Sequence, residues 1–125
     1  MYSVIIRKHV MLAHSLPHPG FGVAQNLHGA TYVIDAEFKS ETLNEMQVVV
    51  DIDKALQWLE QTLAPLNYQN LDNLPQFKGT LTTTEFLAKY IHSRISLLCK
   101  NEFTGSLKIT LNESHIAAAA YEGTV

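Results

Sequence analysis

The sequence predicts an α+β domain whose elements run strand, strand, helix, helix, strand, strand. Three observations carry that expectation. Residues 2–14 and 24–38 alternate apolar and polar side chains with a period of two, as half-buried strands do. From 52 to 63 and again from 83 to 100, apolar residues recur at intervals of three and four, as on amphipathic helices. Residues 106–112 and 115–121 then return to the short period. Strands, helices and strands in that order build one antiparallel sheet with both helices on one face.

Tyr2 to His14 (YSVIIRKHVMLAH) opens the chain. Val4, Ile6, Lys8, Val10, Leu12 and His14 fall on one face, and Ile5, Arg7, His9, Met11 and Ala13 on the other. Both faces are partly apolar, so one meets a core and the other is available to a second chain. Pro17, Pro19, Gly20 and Gly22 then force a loop that carries His18. In the second strand, from about Leu27 to Lys39, His28, Ala30 and Tyr32 share a face. The two long strands are expected to pair antiparallel. Ser40 to Glu45 reads as a turn, and Met46 to Val50 as a return to extended structure after a hairpin or bulge.

Asp51 is placed to cap a helix, because its carboxylate can accept from the free amides of the first turn. Ile52, Ala55, Leu56, Leu59 and Leu63 form the buried stripe, with Trp58 off its centre, and Pro65 closes the helix. Asn67 to Gly79 is an irregular, amide-rich connection. Thr82 and Glu85 have the spacing of a capping box, in which each side chain bonds the other's backbone amide. The helix that follows is expected to bury Leu87, Tyr90, Ile91, Ile95 and Leu98 and to stop near Lys100. After a turn at 101–105, Leu107, Ile109, Leu111 and Glu113 share a face, so an apolar row ends in a carboxylate. Ala117 to Ala120 has helical propensity, yet only a tight turn separates it from Ser106–Asn112, which favours a strand from His115 to Tyr121.

At 125 residues, the chain is long enough to bury a core as a single domain, residues 1–125, without disulfides or structural metal. It is 46% hydrophobic and 17% charged with a net charge of −3, which supplies neither the basic excess of a nucleic-acid binder nor an apolar run that spans a bilayer. No nucleic acid and no membrane are expected as partners. The opening MYSVIIRKHV lacks the order of a secretory signal, so a soluble, cytoplasmic protein is expected. One cysteine, Cys99, fits a reducing compartment, and its place in an apolar helical pattern reads as buried filler rather than a reactive thiol.

The element order, together with LAH at 12–14, LHG at 27–29, MQVVVD at 46–51, TTTE at 82–85 and NES at 112–114, resembles the 6-pyruvoyl tetrahydropterin synthase and 6-carboxytetrahydropterin synthase family over nearly the whole chain. The resemblance implies the tunnelling fold: a four-stranded antiparallel sheet with two helices on one face, order ββααββ. It also implies assembly, with three subunits closing a twelve-stranded barrel, two rings stacking into a hexamer, and active sites between subunits. A homo-oligomer, trimer or hexamer, is therefore expected.

Family enzymes hold zinc with three histidines, one in an A-H pair ending the first strand and two in an H-G-H opening the second. A cysteine four residues before the H-G-H and an Asp-His pair after the first helix handle protons. In this chain the metal positions carry His14, His28 and Ala30. Ala24 stands at the cysteine position, and Asn67 and Tyr68 stand where the Asp-His pair falls. Glu113 matches the glutamate that anchors the pterin ring, and Thr83 and Thr84 match residues near it. A catalytic zinc takes three protein ligands and keeps one position open. An alanine methyl coordinates nothing, so no cofactor is expected, and zinc would need His18 or water to complete its shell. Losing one positioned acid or base removes about 10²–10⁴ in rate.

Each residue also has a purely structural reading. His14 and His28 are either partners in a pocket or histidines satisfied by polar neighbours. Glu113 either receives the two adjacent N–H groups of a pterin-like edge, a paired charge-assisted contact, or stands exposed in a turn. Thr83 and Thr84 serve a ligand or cap the helix, and Tyr32 and Tyr68 touch a ring or pack. His9, His92 and His115 read as surface or packing residues. The expected function is binding of a pterin or related bicyclic heterocycle without the family's zinc-dependent lyase chemistry. The alternative is an active pterin-side-chain lyase acting on dihydroneopterin triphosphate with a rearranged metal site.

Overall fold

The computed structural model describes residues 1–125. Two 13-residue strands, β1 (Tyr2–His14) and β2 (His28–Ser40), pair antiparallel along their full length, from Tyr2↔Ser40 to His14↔His28. Helices α1 (Ile52–Leu63) and α2 (Thr84–Cys99) are separated by a two-residue strand, β3 (Gln69–Asn70), and β4 (Ser106–Asn112) and β5 (Ala118–Thr124) end the chain. The sheet order is β3-β1-β2-β4-β5, with β3 parallel to β1 and every other pair antiparallel. The expected four strands are present, and β3 adds a fifth.

The core follows the period of two. Ile6, Val10 and Leu12 of β1, Tyr32, Ile34, Ala36 and Phe38 of β2, and Leu107, Ile109 and Leu111 of β4 are buried together against both helices. Phe38 meets Phe103 edge-on at 5.2 Å and Trp58 at 6.1 Å. The opposite face of the sheet carries no helix. There Ile5 and Met11 are exposed and charged residues pair across strands, Arg7 with Asp35 and Lys39 with Glu122. No helix is long and apolar enough to cross a membrane.

Asp51 caps α1 as expected, accepting from the Lys54 amide at 3.1 Å. The buried face of α1 is rotated from the expected stripe: Ile52 is exposed, whereas Trp58 and Thr62 are buried. Trp58 reaches the ring of Phe38, and the Thr62 hydroxyl donates to the Trp58 carbonyl, so both find partners inside. On α2, Leu98 is exposed and its place in the core is taken by Ala88, His92 and Cys99.

Four local expectations are corrected. Residues 46–50 do not form a strand; the Asn44 side chain accepts from the amides of Met46 and Val48, and Gln47 adopts φ 62°, which turns the chain tightly. The α2 cap is Thr83, not Thr82: the Thr83 hydroxyl accepts from the Phe86 amide at 3.1 Å, so the capping-box pairing with Glu85 is not formed. The last strand begins at Ala118 rather than His115, because the amides of Glu113 and Ser114 both donate to the Ala117 carbonyl and spend 113–117 on the turn. Finally, the loop after β1 contains a 3-10 segment, Pro19–Gln25, so Ala24 precedes β2 instead of belonging to it.

Candidate functional site

The candidate site gathers at one end of the sheet, where β1 stops and β2 starts. Because the two strands pair to their last residues, His14 and His28 lie directly opposite each other, their rings edge to face at 4.7 Å. His14 is buried and its Nδ1 shares a 3.0 Å hydrogen bond with the hydroxyl of Thr82, which is buried as well. His28 Nδ1 donates to the Asn26 carbonyl at 2.8 Å, which leaves Nε2 with its lone pair. Burial, reinforced by the neighbouring His28, pushes His14 below its ordinary 6.5, against smaller pulls from Thr82, Asp72 and Glu113.

Ala30 shares the face of His28 and sits opposite Leu12, packed against the core. No three His, Cys, Asp or Glu side chains of the chain come together at ligand spacing. His18 does not complete a set: its Nδ1 accepts from the Gly20 amide and its ring stacks edge-on with Phe21. No buried side-chain nitrogen or oxygen lacks a partner; His14 and His28 are each bonded through Nδ1, and what the set lacks is a third imidazole. The residues present therefore do not fit the three-histidine zinc set that the resemblance implied.

Ala24 is half-buried in the 3-10 segment. Asn67 spends its side chain on the backbone, its Oδ1 accepting from the Met11 amide at 3.0 Å. Tyr68 follows with φ 58° and stands 77% exposed, while its amide donates to the Met11 carbonyl. Together these two residues dock β3 against the edge of β1. Both thus contribute to the sheet's edge.

Glu113 lies one residue past β4, on the row of Leu107, Ile109 and Leu111. The nearby hydrogen bonds run through Asn112, which donates to the Val33 carbonyl and to Asp35, and through Ser114; they leave the Glu113 carboxylate without a donor. Glu113 is exposed in the β4–β5 turn, and on the helix-free face of the sheet that turn borders a cavity of about 380 Å³ with Arg7, Thr31 and Val33. The β2–β4 ladder ends at Val33↔Asn112, so Glu113 falls next to Tyr32, toward the end of β2 that carries His28. Tyr32 is buried, and burial raises its phenol above the usual 10.0, opposed by the adjacent Thr84 hydroxyl. The Thr83 hydroxyl is taken up by capping, so of the two threonines Thr84 is the one beside Tyr32.

A second cavity of about 480 Å³ is lined by Ser15 and Leu81, the chain neighbours of His14 and Thr82, with Asp72, Phe77, Lys78 and Thr80. Asp72 is fixed there by the Ser15 amide and hydroxyl, the latter at 2.6 Å. Sequence reasoning missed Asp72 and the role of Thr82. Each contact joins residues more than fifty apart in the chain, and no local pattern announces it. His9 is exposed, His92 is buried donating Nε2–H to the Gly123 carbonyl, and His115 stands at the β4–β5 turn.

Comparison with known proteins decides the family. The family model described as "6-pyruvoyl tetrahydropterin synthase" matches residues 3–124. The chain belongs to the 6-pyruvoyl tetrahydropterin synthase family. It is similar to the 6-pyruvoyl tetrahydrobiopterin synthase of Dictyostelium discoideum, 29% identical over 97 residues that cover 76% of this chain and 71% of that protein. Among solved structures, the Caenorhabditis elegans 6-pyruvoyl tetrahydropterin synthase superposes with a TM-score of 0.85 at 22% identity, covering 98% of this chain and 95% of that one. The Plasmodium falciparum enzyme gives 0.80 at 15% identity over 99% and 98%. At such identities the superpositions establish the fold, which is the family's tunnelling fold.

Proposed function

We propose that the chain binds a pterin, or a related bicyclic heterocycle with the same amidine edge, through Glu113, and that it does not run a zinc-dependent lyase reaction. The observation that supports this most is the exposed Glu113 carboxylate, which extends the row of Leu107, Ile109 and Leu111 past the end of β4, next to Tyr32. Two carboxylate oxygens match two adjacent N–H donors, and charge-assisted bonds of this kind are about twice as strong as neutral ones. Family membership supplies the ligand class. The metal positions supply two imidazoles and a methyl group, short of the three ligands a catalytic zinc takes. The bare sheet face and the exposed edges of β3 and β5 fit assembly of the chain with copies of itself, as a trimer or hexamer with sites between subunits.

Titration with pterin, followed by its fluorescence, tests the reading. Glu113→Gln keeps the shape and loses the charge, and is expected to weaken binding by about 10- to 100-fold. Equal affinity for wild type and variant overturns the Glu113 assignment. Stoichiometric zinc in purified protein, lost in the His14→Ala, His28→Ala double variant, would favour an active lyase with a rearranged metal site.

A further inference from the structure

The two histidines left at the family's metal positions are each hydrogen-bonded through Nδ1. His14 Nδ1 and the Thr82 hydroxyl, both buried, join the end of β1 to the segment just before α2. Thr82 is followed by the α2 cap, Thr83, and then by Thr84 beside Tyr32. His28, against the His14 ring, ties the start of β2 to Asn26 through its Nδ1. We infer that His14 is a positioning residue: through its bond to Thr82, with the His28 ring packed against it, it clasps the segment before α2 to the end of β1 and so holds Thr84 beside Tyr32, the neighbour of Glu113. This rests on the reading of Glu113 as the ligand's anchor.

Physical chemistry gives the clasp its sign. Two buried polar groups that satisfy each other cost little, whereas deleting one leaves the other unpaired in the interior. Truncating either partner therefore loosens the segment 82–84, and the ligand must then order it on binding. A metal ligand and a hydrogen-bonding histidine differ in what replaces them. An asparagine amide reaches about where imidazole Nδ1 sits and preserves the bond to Thr82, while it is a poor substitute for an imidazole on zinc.

Four variants separate the alternatives: His14→Ala, His14→Asn, Thr82→Val and Ala30→His. Each is titrated with pterin and with zinc chloride, and its thermal midpoint is measured with and without EDTA. His14→Ala and Thr82→Val are expected to weaken pterin binding by about tenfold and to lower the midpoint, and His14→Asn to recover most of both. EDTA is expected to leave the wild type unchanged. Ala30→His, which puts a third imidazole on the face of His14 and His28, is expected to gain zinc binding and a zinc-dependent rise in midpoint. The inference is overturned if Thr82→Val behaves as wild type. It is equally overturned if His14→Asn is as weak as His14→Ala while EDTA strips affinity from the wild type. Should the wild type bind no pterin, the Glu113 reading fails by itself, and the clasp stands or falls on the midpoints of the same variants.

Discussion

Cys99 lies on α2 with no exposed surface, and burial pushes its thiol up to about 11. The thiolate is the reactive form, so the native protein is expected to resist thiol reagents at pH 8 and to react once denaturant unfolds it. Rapid stoichiometric labelling of the native state would contradict that. Gly105 is constrained in another way. A Cβ added there would stand 2.2 Å from the Lys39 carbonyl oxygen and 2.9 Å from the Phe103 ring. Backbone cannot yield as a flexible side chain does, so Gly105→Ala is expected to cost about 1–3 kcal/mol in urea denaturation. The placement of His14 and His28 on one face was readable in the sequence, because a strand's period of two assigns each side chain a face, while the roles expected of them and of Glu113 came from the resemblance. Thr82 was misread as a cap because TTTE offers three threonines to one cap position, and only the fold reveals which of them faces His14.

At the scale of the elements, the cap of α2 and the β1–β2 pair each carry a measurable share of stability. Thr83→Ala removes the bond to the Phe86 amide and is expected to cost about 1 kcal/mol, with Thr83→Ser retaining most of it. On the uncovered sheet face, Arg7 and Asp35 stand directly opposite each other and bond through two contacts, at 2.6 and 2.9 Å. The Arg7 guanidinium, with help from Asn112, holds the Asp35 carboxyl below its ordinary 3.8 despite partial burial. A carboxyl depressed in the folded state contributes stability that is complete above its unfolded pKa and is lost as pH falls through the folded one. Stability is therefore expected to decline as pH drops below about 4, and Asp35→Asn to flatten that decline in denaturation curves collected across acid pH. A slope unchanged by the substitution would remove Asp35 from the acid response. The long elements were readable in the sequence because thirteen alternating residues or a four-turn stripe outweigh local ambiguity. β3 was not, since two residues carry no period, and the start of β5 slipped because a run of alanines reads alike in every register.

At the scale of the whole molecule, the chain keeps the family's fold, and residues at positions the resemblance assigned to protons and metal make structural contacts. Asn67 binds the backbone of Met11, and Ala30 packs against the core. One sheet face remains bare, with Ile5 60% and Met11 46% exposed, an arrangement more readily covered by further copies of the chain than by solvent. Sedimentation at micromolar concentration is expected to give a trimer or hexamer, and a monomer there would contradict the proposed assembly. The most direct measurement is a crystal structure of the purified protein soaked with pterin, with diffraction recorded on both sides of the zinc absorption edge. The expected result is the amidine edge of the ring on both oxygens of Glu113 and no anomalous peak between His14 and His28. A tetrahedral metal held by those two histidines, or a ring seated away from Glu113, would contradict it.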